Sequence, residues 1–152
     1  MFYRMIFLSL LFVMLSHQAS QAAGAACMMA KFQGQTLDYE LVITKGHPVE
    51  AQDEAEARLR AKGYGNYSPS LRYRNLDIVR AQNLTNLPSA HIVVIRSEFK
   101  DARGKDRSVV GCGFHAKSYE GALWDAIRDA QNYFWGWKPD RDGYEIVKKV
   151  RY

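Results

Sequence analysis

The chain has 152 residues, 47% of them hydrophobic and 24% charged, with a formal net charge of +5. That balance excludes an intrinsically disordered or collagen-like chain, and two cysteines are too few for a disulfide-dense scaffold. The charge is mildly basic, which suits an acidic partner without requiring one.

Met1-Phe2-Tyr3-Arg4 opens the chain with one positive charge, and residues 5–15 are an apolar run. That run is far shorter than the roughly 20 residues a bilayer-spanning helix needs. Small residues follow to Ala26, and Ser20-Gln21-Ala22 and Ala23-Gly24-Ala25 both fit a small-x-small cleavage site. The pattern is that of a secretory signal over residues 1–22, with cleavage possible up to residue 26. Residues 27–152 then form a single globular domain, periplasmic or secreted. In an oxidising compartment the two cysteines, Cys27 and Cys112, are expected to pair. The competing expectation is lipidation of Cys27, which would leave Cys112 a free thiol and is the only route to a membrane.

Residues 36–44 alternate, with Leu37, Tyr39, Leu41 and Ile43 on one face, and predict a half-buried strand. Pro48 suits the first position of a helix. Acidic residues in the early turns, Arg58, Arg60 and Lys62 in the last, and Gly63 as the stop complete it. Its apolar stripe, Ala51, Ala55 and Leu59, is thin enough to lie close to a sheet. Residues 71–80 are β-like, and residues 83–89 read as a loop. Residues 91–100 and 107–116 predict a hairpin about residues 101–106, with Val93, Ile95 and Phe99 sharing a core face with Val110, Cys112 and Phe114. Ser118 caps a second helix that carries Leu123, Ala126, Ile127, Ala130 and Phe134 at helical spacing. Residues 138–143 read as a loop, and residues 144–152 as a last strand, apolar at Tyr144, Ile146 and Val150.

This order predicts an α+β two-layer sandwich: an antiparallel or mixed sheet of about five strands with two helices on one face. Two strand–helix–strand segments suggest an internal duplication in architecture, with no shared residue pattern behind it.

Few motifs carry chemistry. Gly111-Cys112-Gly113-Phe114-His115-Ala116 has the form of a dinucleotide fingerprint, but the next acid at a strand, Glu145, lies far beyond the usual spacing of about 20. A glycine-rich strand that lets backbones approach closely explains it better. Cys112 with His115 is the one pair with the make-up of a thiol nucleophile and its base. On a strand, however, residues three apart point to opposite faces. His47, His91 and His115 lack metal-ligand spacing, and no cofactor or metal is implied.

Two clusters combine aromatic and basic side chains. Tyr133 to Lys138 gathers Trp135, Trp137 and Lys138 at a helix end, with Arg141 nearby; flat rings beside cations suit a sugar or a protein partner. Tyr64, Tyr67, Arg72 and Arg74 form the other, and export argues against nucleic acid as its ligand. The stretch from Leu41 to Tyr73 is similar to the first half of SPOR domains. It shares a strand, the alanine-rich helix Glu54-Ala55-Glu56-Ala57-Arg58-Leu59-Arg60-Ala61-Lys62-Gly63-Tyr64, and a strand. That resemblance implies peptidoglycan as a ligand. The leading expectation from the residues themselves is a non-enzymatic binding protein of the envelope or secreted space, of inhibitor, immunity or accessory type. Glycan binding is the second, and a small exported enzyme with a Cys/His site is the third.

Overall fold

The computed structural model describes residues 23–32, 35–65, 77–79 and 84–152. The signal-like residues 1–22, and Tyr67, Arg72 and Arg74, lie outside them. In chain order the elements are β1 (Gly24–Phe32), β2 (Gln35–Thr44), α1 (Pro48–Ala61), β3 (Asp77–Val79), β4 (Leu84–Thr85), β5 (His91–Lys100), β6 (Asp106–His115), α2 (Tyr119–Tyr133), α3 (Pro139–Asp142) and β7 (Glu145–Arg151).

The α+β class holds, but the strands form two antiparallel sheets. The first runs β2-β1-β3 with β4 also on β1, and the second runs β6-β5-β7. The expected placement of both helices on one face of one sheet is replaced by a stack of helix, sheet, sheet, helix. Three apolar clusters show the layering. Ala26, Met28, Ala30 and Val42 pack beneath Ala51, Ala55 and Leu59 of α1. Cys27, Met29 and Leu41 meet Ile92, Val94, Val110 and Cys112 between the sheets. Val93, Ile95 and Val109 pack beneath Ala122, Ala126 and Ala130 of α2, with Trp137.

β1 is the element that sequence reading misses. Its residues from Ala25 to Ala30 are almost wholly inaccessible. A strand buried on both faces has no apolar–polar alternation to display, and its alanines resemble a cleavage zone. The same cause shifts the phase of the hairpin. Val93 pairs with Gly113, Ile95 with Gly111 and Phe99 with Arg107, so these residues face α2. Val110, Cys112 and Phe114 face the other sheet beside Ile92 and Val94.

The two halves repeat one topology, hairpin–helix–strand, with the later strand antiparallel to the first strand of its hairpin. A constant offset in sequence relates them. The strand ends Thr44 and His115, the caps His47 and Ser118, and the buried stripes Ala51, Ala55, Leu59 and Ala122, Ala126, Ala130 correspond one to one. Each cap accepts a bond from the first turn, His47 Nδ1 from Val49 N at 3.3 Å and Ser118 Oγ from Gly121 N at 3.1 Å. The repeat is invisible in the strands because volume has moved between them. Under α1 the paired residues are Ala26 and Val42; under α2 they are Val93 and Gly113. A Cβ at Gly113 would run into the Ala122 carbonyl, and one at Gly111 into that of Ala126. The Gly-x-Gly phrase is therefore a helix-packing device.

The Cys27–Cys112 disulfide joins the halves across the inter-sheet core, with Cα atoms 6.4 Å apart. Cys27 is thus bridged, and the thiol that a lipidated Cys27 would leave at Cys112 is absent. Closing 85 residues of chain stabilises by about 4–5 kcal/mol in the chain-entropy account.

Candidate functional site

The β5–β6 turn is built by Asp101. Its Oδ1 accepts from Arg103 N at 2.8 Å and Lys105 N at 3.0 Å, and its Oδ2 accepts from Arg107 Nε at 2.9 Å. The Lys105 amide first, and then the Arg107 guanidinium, hold this carboxyl below the usual carboxylate range. Gly104 takes the left-handed conformation the turn requires, with φ 73°.

The segment after α2 faces this turn. Phe134 sits edge-on to Phe99, ring centres 5.2 Å apart. Trp137 is completely buried, and its indole Nε1 donates to the Gly143 carbonyl at 3.3 Å. Arg141 donates to the Gly136 carbonyl at 2.7 Å and to both oxygens of Asp142 at 2.7 and 2.8 Å. That bonding raises the guanidinium's pKa and lowers that of Asp142. With Phe134 and Trp137 both turned inward, Trp135 between them is left 87% exposed.

Together these pieces enclose a groove of about 550 Å³. Phe99, Phe134 and Trp135 supply its apolar surface, and Arg103, Arg107 and Arg141 its donors. Arg107 and Arg141 are held by carboxylates, so their geometry is set in advance. Arg103 has no ion-pair partner among the described residues.

The sequence-derived candidates divide. Trp135 and Arg141 come together here. Lys138 is exposed, with its amide taken by Asp142 Oδ2 at 2.8 Å, and does not line the groove. Trp137 is a correction: it anchors the core and cannot stack on a ligand. Residues 138–143, read as a loop, contain α3, which follows that anchor. Tyr64 is half-buried against the cluster beneath α1, away from the groove. The Cys112/His115 pair does not form, because Cys112 is bridged to Cys27 and His115 Nδ1 accepts from Lys117 N and Ser118 N, each at 3.3 Å.

Phe99, Arg103 and Arg107 were missed because hairpin residues reach the helix end only through the fold. So were Lys31 and Asp129, both nearly inaccessible. Asp129 Oδ2 accepts the Cys112 amide at 2.8 Å, and the Lys31 ammonium lies 3.7 Å over the Tyr133 ring. Burial lifts the Asp129 carboxyl to about 6, opposed by that amide and by Lys31. Burial also lowers Lys31 to about 8, opposed by Asp129. Asp129 occupies the buried side of α2 with Ala126 and Ala130, where nothing in the sequence sets it apart from a solvated acid. Its position over the outer edge of β6 makes it part of the fold's seal.

Comparison with protein-family models, with curated proteins and with solved structures finds no match to this chain. Among the described residues, no helix is long and apolar enough to cross a membrane.

Proposed function

We propose that this is an exported, non-enzymatic binding protein of the envelope or secreted space, and that a glycan seats in the groove beside Trp135. The observation that carries the reading is the indole itself. A large aromatic held 87% exposed, beside two half-buried phenylalanine rings and three guanidinium groups, presents a flat stacking face next to charged donors. An indole face covers the apolar face of a pyranose, while fixed guanidinium donors take hydroxyl or carboxylate oxygens. The disulfide and the signal-like residues 1–22 support export.

The test is co-sedimentation of the purified, bridged protein with peptidoglycan, alongside fluorescence titration with soluble glycan fragments. Trp135→Ala should weaken binding at least about tenfold, the scale of a buried aromatic anchor. Arg103→Ala should weaken it less. Unchanged binding in Trp135→Ala would reject the groove. An intact mass before and after reduction checks export and pairing together, through loss of the leader and a gain of hydrogen at the two cysteines.

A further inference from the structure

The two edges of the second sheet are finished differently. At the β6 edge, side chains from neighbouring layers take the outward backbone amides. Val110 N donates to Thr36 Oγ1 at 3.3 Å, and Cys112 N to Asp129 Oδ2 at 2.8 Å. Ser108 Oγ adds a bond to the Thr36 carbonyl. The middle of that edge is thereby closed to a further strand.

β7 forms the opposite edge. Ala90 and Tyr152 exchange both backbone bonds, at 3.1 and 3.2 Å. Hydrogen-bonded and non-bonded pairs alternate in an antiparallel ladder, so the pairs Val93–Lys149 and His91–Arg151 turn the amides and carbonyls of Lys149 and Arg151 outward. Among the described residues no side chain takes them. Every residue of β7 except Val150 is exposed, including Ile146 at 49% and Val147 at 37%. The strand carries Lys148, Lys149 and Arg151 against one carboxylate, Glu145.

That charge decides between occupants. A second copy pairing through β7 would set this basic strand against itself, and like charges opposite one another on paired strands destabilise. An extended acidic segment meets the same strand with opposite charges and completes its backbone ladder. Lysines on an edge strand are a known guard against self-pairing. Here they exclude the self-complement and admit the acidic one. We propose that β7 is a docking edge for an extended acidic segment of a protein partner, which adds as a fourth strand and covers Ile146 with an apolar residue. This surface shares no residue with the Trp135 groove, so it stands or falls independently of the glycan reading.

The probe is a capped synthetic peptide of alternating Glu and Val, about eight residues long, the length of an ordinary strand or slightly more. It is compared with a Gln/Val peptide and with a Glu/Val peptide N-methylated at every residue, which has no backbone donor on either edge. The readout is backbone amide exchange in the purified protein with its disulfide intact. The Glu/Val peptide should slow exchange at Lys149 and Arg151 at least about tenfold. The N-methylated peptide should not, and the Gln/Val peptide should do so weakly. A Lys148→Glu variant, which leaves Lys149 over the Tyr119 ring, should weaken the effect while keeping its thermal midpoint, and Trp135→Ala should keep the effect. The proposal is overturned if exchange at those two amides is unchanged, or if the Gln/Val and Glu/Val peptides act equally. It is also overturned if the protein self-associates through β7 without peptide, which would make a second copy the occupant.

Discussion

The two halves share a topology and a helix register, yet they present opposite surfaces. In the first half every cation of α1 and of its C-terminal cap meets a carboxylate of the same half. Arg58 meets Glu54 and Glu40, Arg60 meets Glu56, and Lys62 meets Asp38 and Glu40, which raise its pKa. In the second half the outer helix shows Trp124 at 61% exposure and is followed by Trp135 at 87%. Tyr64, the counterpart of Trp135 at the same offset, is instead packed against the core. Hairpin length accompanies the difference. Only two residues separate β1 from β2, whereas the β5–β6 turn extends far enough to wall a groove. One half supplies structure and the other supplies surface, from the same plan.

The sharpest way to break the comparison is at the helix–sheet spacing. Gly113→Val places in the second half the residue that Val42 provides in the first. It should cost at least about 3 kcal/mol, because a backbone carbonyl occupies the space and cannot give as a side chain does. Val42→Ala should cost about 1–3 kcal/mol by leaving a cavity. Urea denaturation of both variants decides it, and a Gly113→Val as stable as the parent would mean α2 can retreat to the α1 spacing.

Reduction of Cys27–Cys112, or the double serine variant, should cost up to about 4–5 kcal/mol. Because the bridge cross-links the two sheets beyond the chain connection itself, amide exchange after reduction should rise first at the inter-sheet strands.

Lys31 on β1 of one half and Asp129 on α2 of the other each feel the other's charge and give the assembly a pH response. Asp129 is raised to about 6, so the folded state holds that proton more tightly than the unfolded state. Its contribution to stability therefore rises as pH falls from about 7 towards 4, by up to about 3 kcal/mol. Lys31 is lowered to about 8, so its contribution rises as pH climbs from about 8 towards 10.5. Asp129→Asn keeps an acceptor for the Cys112 amide and should abolish the acid-side rise. Asp129→Ala orphans that buried amide and should cost about 1–3 kcal/mol at neutral pH. Stability curves between pH 4 and 8 check both.

The smallest effects belong to the two surfaces. Glu54→Ala removes an exposed helix pair and should change stability by no more than about 0.5 kcal/mol. Trp135→Ala should be equally silent in denaturation while weakening ligand binding, which separates a surface residue from a core one. Trp137→Ala, by contrast, should cost about 3–5 kcal/mol.

Part of this was legible in the chain alone. Local chemistry marks α1 from Pro48 through its basic last turn, the Ser118 cap, the polar β5–β6 turn and the strand before Gly46. These features depend on neighbours within a few residues. The α+β class follows from their order, and the cysteine pairing from their number. Of the groove, only Trp135 and Arg141 could be named in advance.

Contacts distant in sequence decided the rest. β1 lies between two covered faces, so no alternation announced it, and the same double burial hid the phase of the hairpin. The repeat was hidden because paired strands exchanged volume while conserving the space under each helix. Trp135 and Trp137 are two residues apart and alike in composition. One became a core peg and the other an exposed ring because the hairpin and α3 packed around one of them, and packing between separated segments leaves no local trace in sequence.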